Sequence, residues 1–168
     1  MSDIRLGTID FASPDETSVL AKRIAPALGP GDTLLLEGPI GAGKSHFARS
    51  VIESRLAVLG RVENIPSPTY TLVQTYDLGD VEIWHADLYR LSDPSELMEL
   101  GLEEAFSDGI CLVEWPDRLG TETPDPSVTL SFSYGSTEEA RQLEITRGGS
   151  RWRELLDSGT SSDVSCAG

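Results

Sequence analysis

Residues 33–45 read Thr33-Leu34-Leu35-Leu36-Glu37-Gly38-Pro39-Ile40-Gly41-Ala42-Gly43-Lys44-Ser45, and this stretch decides the fold. The apolar run Thr33 to Leu36, bounded by Gly31 and Gly38, has the length and composition of a strand covered on both faces. Gly38 and Gly43 supply the backbone freedom for a tight loop that a bound group can approach closely. From Lys44 to about Leu59 a helix is expected, with Phe47, Ala48, Val51, Ile52, Leu56 and Leu59 on one side. Strand, loop and helix together meet the pattern GxxxxGK[ST] at Gly38, Gly43, Lys44 and Ser45. In that pattern the loop amides converge on a phosphate and the helix directs its positive end at the same anion. Lys44 then reaches the β- and γ-phosphates and the Ser45 hydroxyl takes a place around Mg²⁺. A chance match in a turn is roughly a one-in-a-hundred event at average residue usage. It is rarer here, because the chain has two lysines, Lys22 and Lys44, against eleven arginines.

Outward from the loop, the pattern alternates between helix and strand. Ser13-Pro14-Asp15-Glu16 opens a helix, with Ser13 as cap and Pro14 at its first position, and Gly29-Pro30-Gly31 stops it. Thr71 to Tyr76 and Val81 to Ala86 read as strands joined by Leu78-Gly79-Asp80 in a hairpin. Ser92-Asp93-Pro94 starts another helix, with apolar positions Leu97, Met98, Leu100, Leu102 and Phe106. Ile110 to Val113 is a second short buried strand, and Thr121 to Pro126 is a surface loop. Val128 to Tyr134 and Gln142 to Thr146 pair as late antiparallel neighbours. The expected fold is α/β, a three-layer sandwich of the P-loop NTPase kind with a mostly parallel central sheet and antiparallel additions. The length suits one domain over 1–156, and the Ser/Gly/Asp-rich residues 157–168 read as a mobile tail.

Composition narrows the function. With 28 acidic against 13 basic side chains the net charge is −15, which repels phosphate backbones at long range. Strong direct nucleic-acid binding is therefore not expected, and a role near RNA would run through a protein partner. Cys111 sits in an apolar run and reads as a small buried hydrophobe; Cys166 lies in the tail, and no CxxC pair suggests zinc. No signal peptide and no stretch of ~20 apolar residues is present, so a soluble cytoplasmic chain without membrane contact is expected.

Several residues outside the loop are candidates for its chemistry. Mg²⁺ commonly takes one or two carboxylates, and Glu114 and Asp87 each close an apolar strand; either acid can instead cap the next turn. Thr69, after Pro68, can present its hydroxyl to Mg²⁺ or the γ-phosphate, or merely shape a turn. Arg90 can reach a phosphate or pair with an acid. Trp115 reads first as packing. His46 and His85, the two histidines, read as structural.

Taken in order, four segments resemble the TsaE (formerly YjeE) family of bacterial ATPases of threonylcarbamoyladenosine synthesis in tRNA. They are Gly38 to Ser45, Ser67-Pro68-Thr69-Tyr70-Thr71-Leu72-Val73, His85-Ala86-Asp87-Leu88-Tyr89-Arg90-Leu91 and Ile110-Cys111-Leu112-Val113-Glu114-Trp115-Pro116. The resemblance covers roughly Pro14 to Thr146 by these elements. It implies ATP and Mg²⁺ as cofactors. Gly41, Ala42, Gly43, Lys44, Ser45 and His46 would wrap the phosphates, and Ser45 and Glu114 would bind the metal. Asp87 would be needed for hydrolysis, Thr69 would belong to a switch-like segment and Trp115 would matter for activity. A TsaB–TsaD pair would be the partner that carries out the transfer. Ser45 stands where Thr is commoner, keeping the hydroxyl, and Ala86 where an aromatic is frequent. Two other functions compete. A small-molecule kinase needs an acceptor pocket and usually a basic lid, and the arginines here are scattered. A GTP switch resembles its kin in an Asn-Lys-x-Asp motif, but neither lysine follows Asn64, the single asparagine. A scaffold without hydrolysis would leave Asp87 without a task.

Overall fold

The computed structural model describes residues 7–93, 95–124, 127–147, 152, 154 and 155. One seven-stranded sheet runs through them. Its strands are β1 (Gly7–Phe11), β2 (Thr33–Glu37), β3 (Val73–Asp77), β4 (Glu82–Asp87), β5 (Ile110–Glu114), β6 (Val128–Tyr134) and β7 (Arg141–Arg147). The order is β1-β7-β6-β2-β5-β4-β3. β6, β2, β5 and β4 are mutually parallel; β3 flanks them antiparallel on one side, and on the other β7 runs antiparallel to β6 and β1 antiparallel to β7. Both expected hairpins are present, β3–β4 and β6–β7. β6 also lies in the parallel core beside β2, a placement its hairpin pattern did not indicate.

Helices cover both faces. α1 (Pro14–Ile24) and α2 (Lys44–Val58) pack on one side. There Leu34, Leu36, Ile83, Ile110 and Leu112 meet Phe47, Val51 and Ile52 in the larger core. The alternate residues Leu35, Ala86, Cys111 and Val113 point to the opposite face, where they meet Leu97, Leu102 and Ala105 in a second core. That face is covered by α3 (Glu96–Leu100) and α4 (Leu102–Asp108). The two-residue period of a strand sorts neighbours onto the two cores, and the result is the expected three-layer α/β sandwich. No helix among the described residues is long and apolar enough to cross a membrane.

Three local readings change. The single helix expected from Ser92 begins at Glu96 and divides at Gly101, which holds φ of 79° and allows the left-handed turn between α3 and α4. Its start is fixed by side chains: Asp93 Oδ1 accepts the Ser95 N–H, and Glu96 Oε1 accepts those of Ser92 and Asp93. Pro94 lies outside the described residues, as do 157–168 and Cys166. Ser13 stands at the N-cap of α1 but its hydroxyl makes no cap bond; Glu16 reaches back to the Ala12 N–H instead, at 2.9 Å. Thr121 and Glu122 end a 3₁₀ segment, Pro116–Glu122, rather than opening a loop. β1 had no counterpart in the sequence reading, because its pairing with β7 joins residues about 130 positions apart.

Candidate functional site

Because β2, β4 and β5 are parallel, their carboxyl ends lie along one edge of the sheet, where open α/β folds place ligands. β2 ends in the glycine loop. β4 ends at Asp87 and β5 at Glu114, and these two residues are directly paired in register. A cleft of about 510 Å³ opens there, lined by Gly41, Gly43, Lys44, Ser45 and His46 on the loop side. Thr69, Asp87, Arg90, Glu114 and Trp115 line it from the other strands. Arg49 and Arg141 add positive charge, so a chain of net charge −15 concentrates cations where an anion would sit.

The loop is held by its neighbours. Gly43 has φ of 110° at the start of α2 and Gly41 has φ of 79°, conformations open to glycine and strained for side chains. The Phe47 N–H bonds the Gly43 carbonyl at 2.9 Å. From the β6–β7 hairpin, the Tyr134 hydroxyl donates to the Ile40 carbonyl and Arg141 Nε to that of Gly41 at 3.1 Å. Ala42 stands apart from the other loop residues: its side chain is buried in the core and its N–H is turned to the Pro39 carbonyl at 3.2 Å.

Lys44 and Ser45 have partners that a ligand would replace. Lys44 Nζ donates to the Gly38 carbonyl at 2.5 Å and lies 3.5 Å from the centre of the Trp115 ring. Burial pushes the Lys44 ammonium below its usual range, opposed by the charges of Glu114, Asp87 and Asp117. The Ser45 hydroxyl donates across both oxygens of Glu114, at 2.8 and 2.9 Å. Trp115 holds positive φ of 58°, which turns its ring back over the cleft, against Tyr89 at 4.9 Å.

Asp87 is buried, and that burial raises its carboxyl above the usual range. The Tyr89 N–H on Oδ1 (3.1 Å) and the charges of His85 and Lys44 pull it back, while Glu114 adds to the rise. Thr69 offers its hydroxyl to Asp87 Oδ2 at 3.5 Å and lies 3.0 Å from Ser67 Oγ, so the segment expected to act as a switch touches the acid expected to serve hydrolysis. Arg90 makes no ion pair among the described residues; its guanidinium lies 4.9 Å from the Tyr70 ring.

By residue pattern both histidines read as structural, and the family resemblance adds His46 to the phosphate-wrapping loop. His46 fits that in part, with Nε2 at 2.8 Å from Ser18 Oγ and 3.0 Å from the Pro14 carbonyl. His85 does not stand apart from the site: it is fully buried and donates from Nε2 to Glu114 Oε2 at 2.7 Å. The signal was its position two residues before Asp87, on the same face of one strand. Arg49 and Arg141 were also missed, and no local pattern marks them.

Known proteins share much of this sequence and this fold. Residues 11–143 match the family model described as threonylcarbamoyl adenosine biosynthesis protein TsaE. The tRNA threonylcarbamoyladenosine biosynthesis protein TsaE of Bacillus subtilis is 36% identical over 146 residues, 86% of this chain and 88% of that protein. That of Rickettsia bellii is 40% identical over 134 residues, 80% of this chain and 90% of its own length. The crystal structure of Bacillus subtilis YdiB superposes with a TM-score of 0.72 at 27% identity, covering 97% of this chain and 98% of the other. On a match that runs from the end of β1 into β7 and includes the glycine loop and both strand-end acids, the chain belongs to the TsaE family, whose members take part in tRNA threonylcarbamoyladenosine biosynthesis.

Proposed function

We propose that the chain binds ATP with Mg²⁺ in this cleft and hydrolyses it, weakly alone and faster with a TsaB–TsaD pair, in support of threonylcarbamoyladenosine formation in tRNA. The observation that carries the reading is the convergence of Lys44, Ser45, Asp87 and Glu114 on one sheet edge. The donor set suits Mg²⁺: a hydroxyl and a carboxylate within 2.9 Å of each other are hard oxygen ligands. Among the described residues no group of three His, Cys, Asp or Glu gathers to hold a metal unaided. Water and phosphate oxygens would then complete the shell, as is usual for this ion.

When bound, Mg²⁺ supplies positive charge at the β- and γ-phosphate oxygens. The remaining work falls to the chain. Lys44 exchanges the Gly38 carbonyl for phosphate oxygens, so its ammonium enters the site already desolvated, where its charge acts most strongly. Amides of Gly41 and Gly43 to Ser45 bind the phosphates from the loop side. Asp87, its carboxyl raised by burial, orients the attacking water and is suited to accept its proton. Thr69, in contact with Asp87, links that acid to an exposed segment that can report the state of the γ-phosphate. ATP drives partner association only through unequal affinity for two states, and this segment is where the difference would arise.

The test is phosphate release from ATP by the chain alone and with the TsaB–TsaD pair, together with pair affinity in ATP, ADP and no nucleotide. Slow turnover that rises with the pair, and affinity that changes with nucleotide, are expected. Fast turnover alone, indifferent to the pair, would refute the proposal.

A further inference from the structure

We infer that His85 is a positioning residue, which fixes the Glu114 carboxylate beside Ser45 and thereby sets the Mg²⁺ requirement of nucleotide binding. The inference rests on the metal site proposed above. Three observations carry it. His85 is fully buried, and its Nε2 lies 2.7 Å from Glu114 Oε2. Its other nitrogen, Nδ1, is buried with no hydrogen-bond partner among the described residues. Glu114 is itself buried, and among the described residues the side chains bonded to it are Ser45 and His85.

An imidazole placed only to fill the core would gain nothing over leucine and would lose the free energy of one unsatisfied polar atom. The whole hydrogen-bonding capacity of this ring is directed at one oxygen, so Nε2 carries the hydrogen. Register explains the reach: β4 pairs with β5 so that His85 lies opposite Leu112 and Asp87 opposite Glu114. Glu114 therefore leans back along the sheet toward His85 while its other oxygen stays toward Ser45. Once the Ser45 oxygen turns to a metal, His85 is the side chain left to stop the carboxylate from rotating away. Partners of ligating carboxylates typically change metal affinity by about 10–100-fold when removed.

The experiment follows a fluorescent ADP analogue bound to the full chain, in EDTA and across a Mg²⁺ titration. It compares wild type with His85→Gln, His85→Asn and His85→Leu. The Gln amide places a donor near the Nε2 position and the Asn amide near Nδ1, away from Glu114. In EDTA all folded variants should bind the analogue about equally, because the loop and Lys44 are untouched. The Mg²⁺ midpoint should rise about 10–100-fold in His85→Asn and His85→Leu and stay close to wild type in His85→Gln. If His85→Leu does not fold, the Gln and Asn pair decides. A merely structural histidine would lower thermal stability in the variants and leave the midpoint in place; that result overturns the inference. Wild-type binding indifferent to Mg²⁺ would instead overturn the underlying metal site, and this inference with it.

Discussion

Gly38 and Gly41 occupy the same loop, yet the structure predicts very different responses to Ala. At Gly38, φ is 139° and an added Cβ would overlap the Phe132 carbonyl oxygen, with the carbonyl carbon at 3.1 Å and Phe132 Cβ at 3.3 Å. Phe132 lies in β6, which is paired on both sides, to β2 and β7, so its backbone cannot move without breaking the ladder. At Gly41, φ is 79° and an added Cβ meets nothing within 4 Å. Positive φ strains a side chain at both sites by about 1–3 kcal/mol, and at Gly38, farther from the left-handed minimum, by no less than at Gly41. The gain from a stiffer unfolded chain, about 0.4–1 kcal/mol, is also common to both. What remains is the overlap at Gly38, about 1–3 kcal/mol by analogy with overpacked cores. At about 2–4 °C per kcal/mol for a chain of this size, ligand-free Gly38→Ala should melt about 2–12 °C below Gly41→Ala. Thermal unfolding by circular dichroism, with urea titration as a second measure, reads the difference. Equal stability of the two variants would refute the claim that β6 grips the start of the loop.

Asp87→Asn should melt higher than wild type without ligand, because burial disfavours the charged form, while phosphate release falls about 10²–10⁴-fold; loss of both stability and turnover would contradict this. Tyr134→Phe removes the hydrogen bond to the Ile40 carbonyl and should weaken nucleotide binding by about 0.5–1.5 kcal/mol in a calorimetric titration. Burial pushes the Cys111 thiol up to about 12, against ~8.5 in an unfolded chain. Between these values the native state binds the extra proton, so stability should fall as pH rises above ~8.5. Denaturant titrations at pH 7 to 10, comparing Cys111→Ala with its parent in a Cys166→Ser background, should show a steeper fall in the parent, since Tyr76, whose hydroxyl burial also raises, contributes equally to both.

What the sequence revealed and what it concealed divide by the range of the interaction. The strand from Thr33, its loop and α2 are contiguous, and glycine spacing with apolar periodicity specifies them locally. Glu114 and Asp87 were visible because each closes an apolar run, and the parallel pairing of β4 with β5 brings them side by side. The break at Gly101 was easy to miss, since Leu97 with Leu100 and Leu102 with Phe106 each keep helical spacing, and its local mark is the two-residue step from Leu100 to Leu102 that changes the face. Arg141 reaches the loop from 100 residues away, through a hairpin whose place beside β2 no local pattern states. His85 looked structural because its partner, Glu114, is 29 positions distant and meets it only once the sheet register is set.

On the proposed function, Lys44 and the loop amides form a receptor for a triphosphate with its metal. The most direct test of that claim is calorimetric titration of ATP with Mg²⁺ into wild type and Lys44→Ala, each shown to be folded by circular dichroism. Loss of a charged hydrogen-bond donor of this kind is worth about 1.5–3 kcal/mol, so affinity should fall by about 10–150-fold. A folded Lys44→Ala chain that binds Mg-ATP as tightly as wild type would place the nucleotide elsewhere and contradict the account.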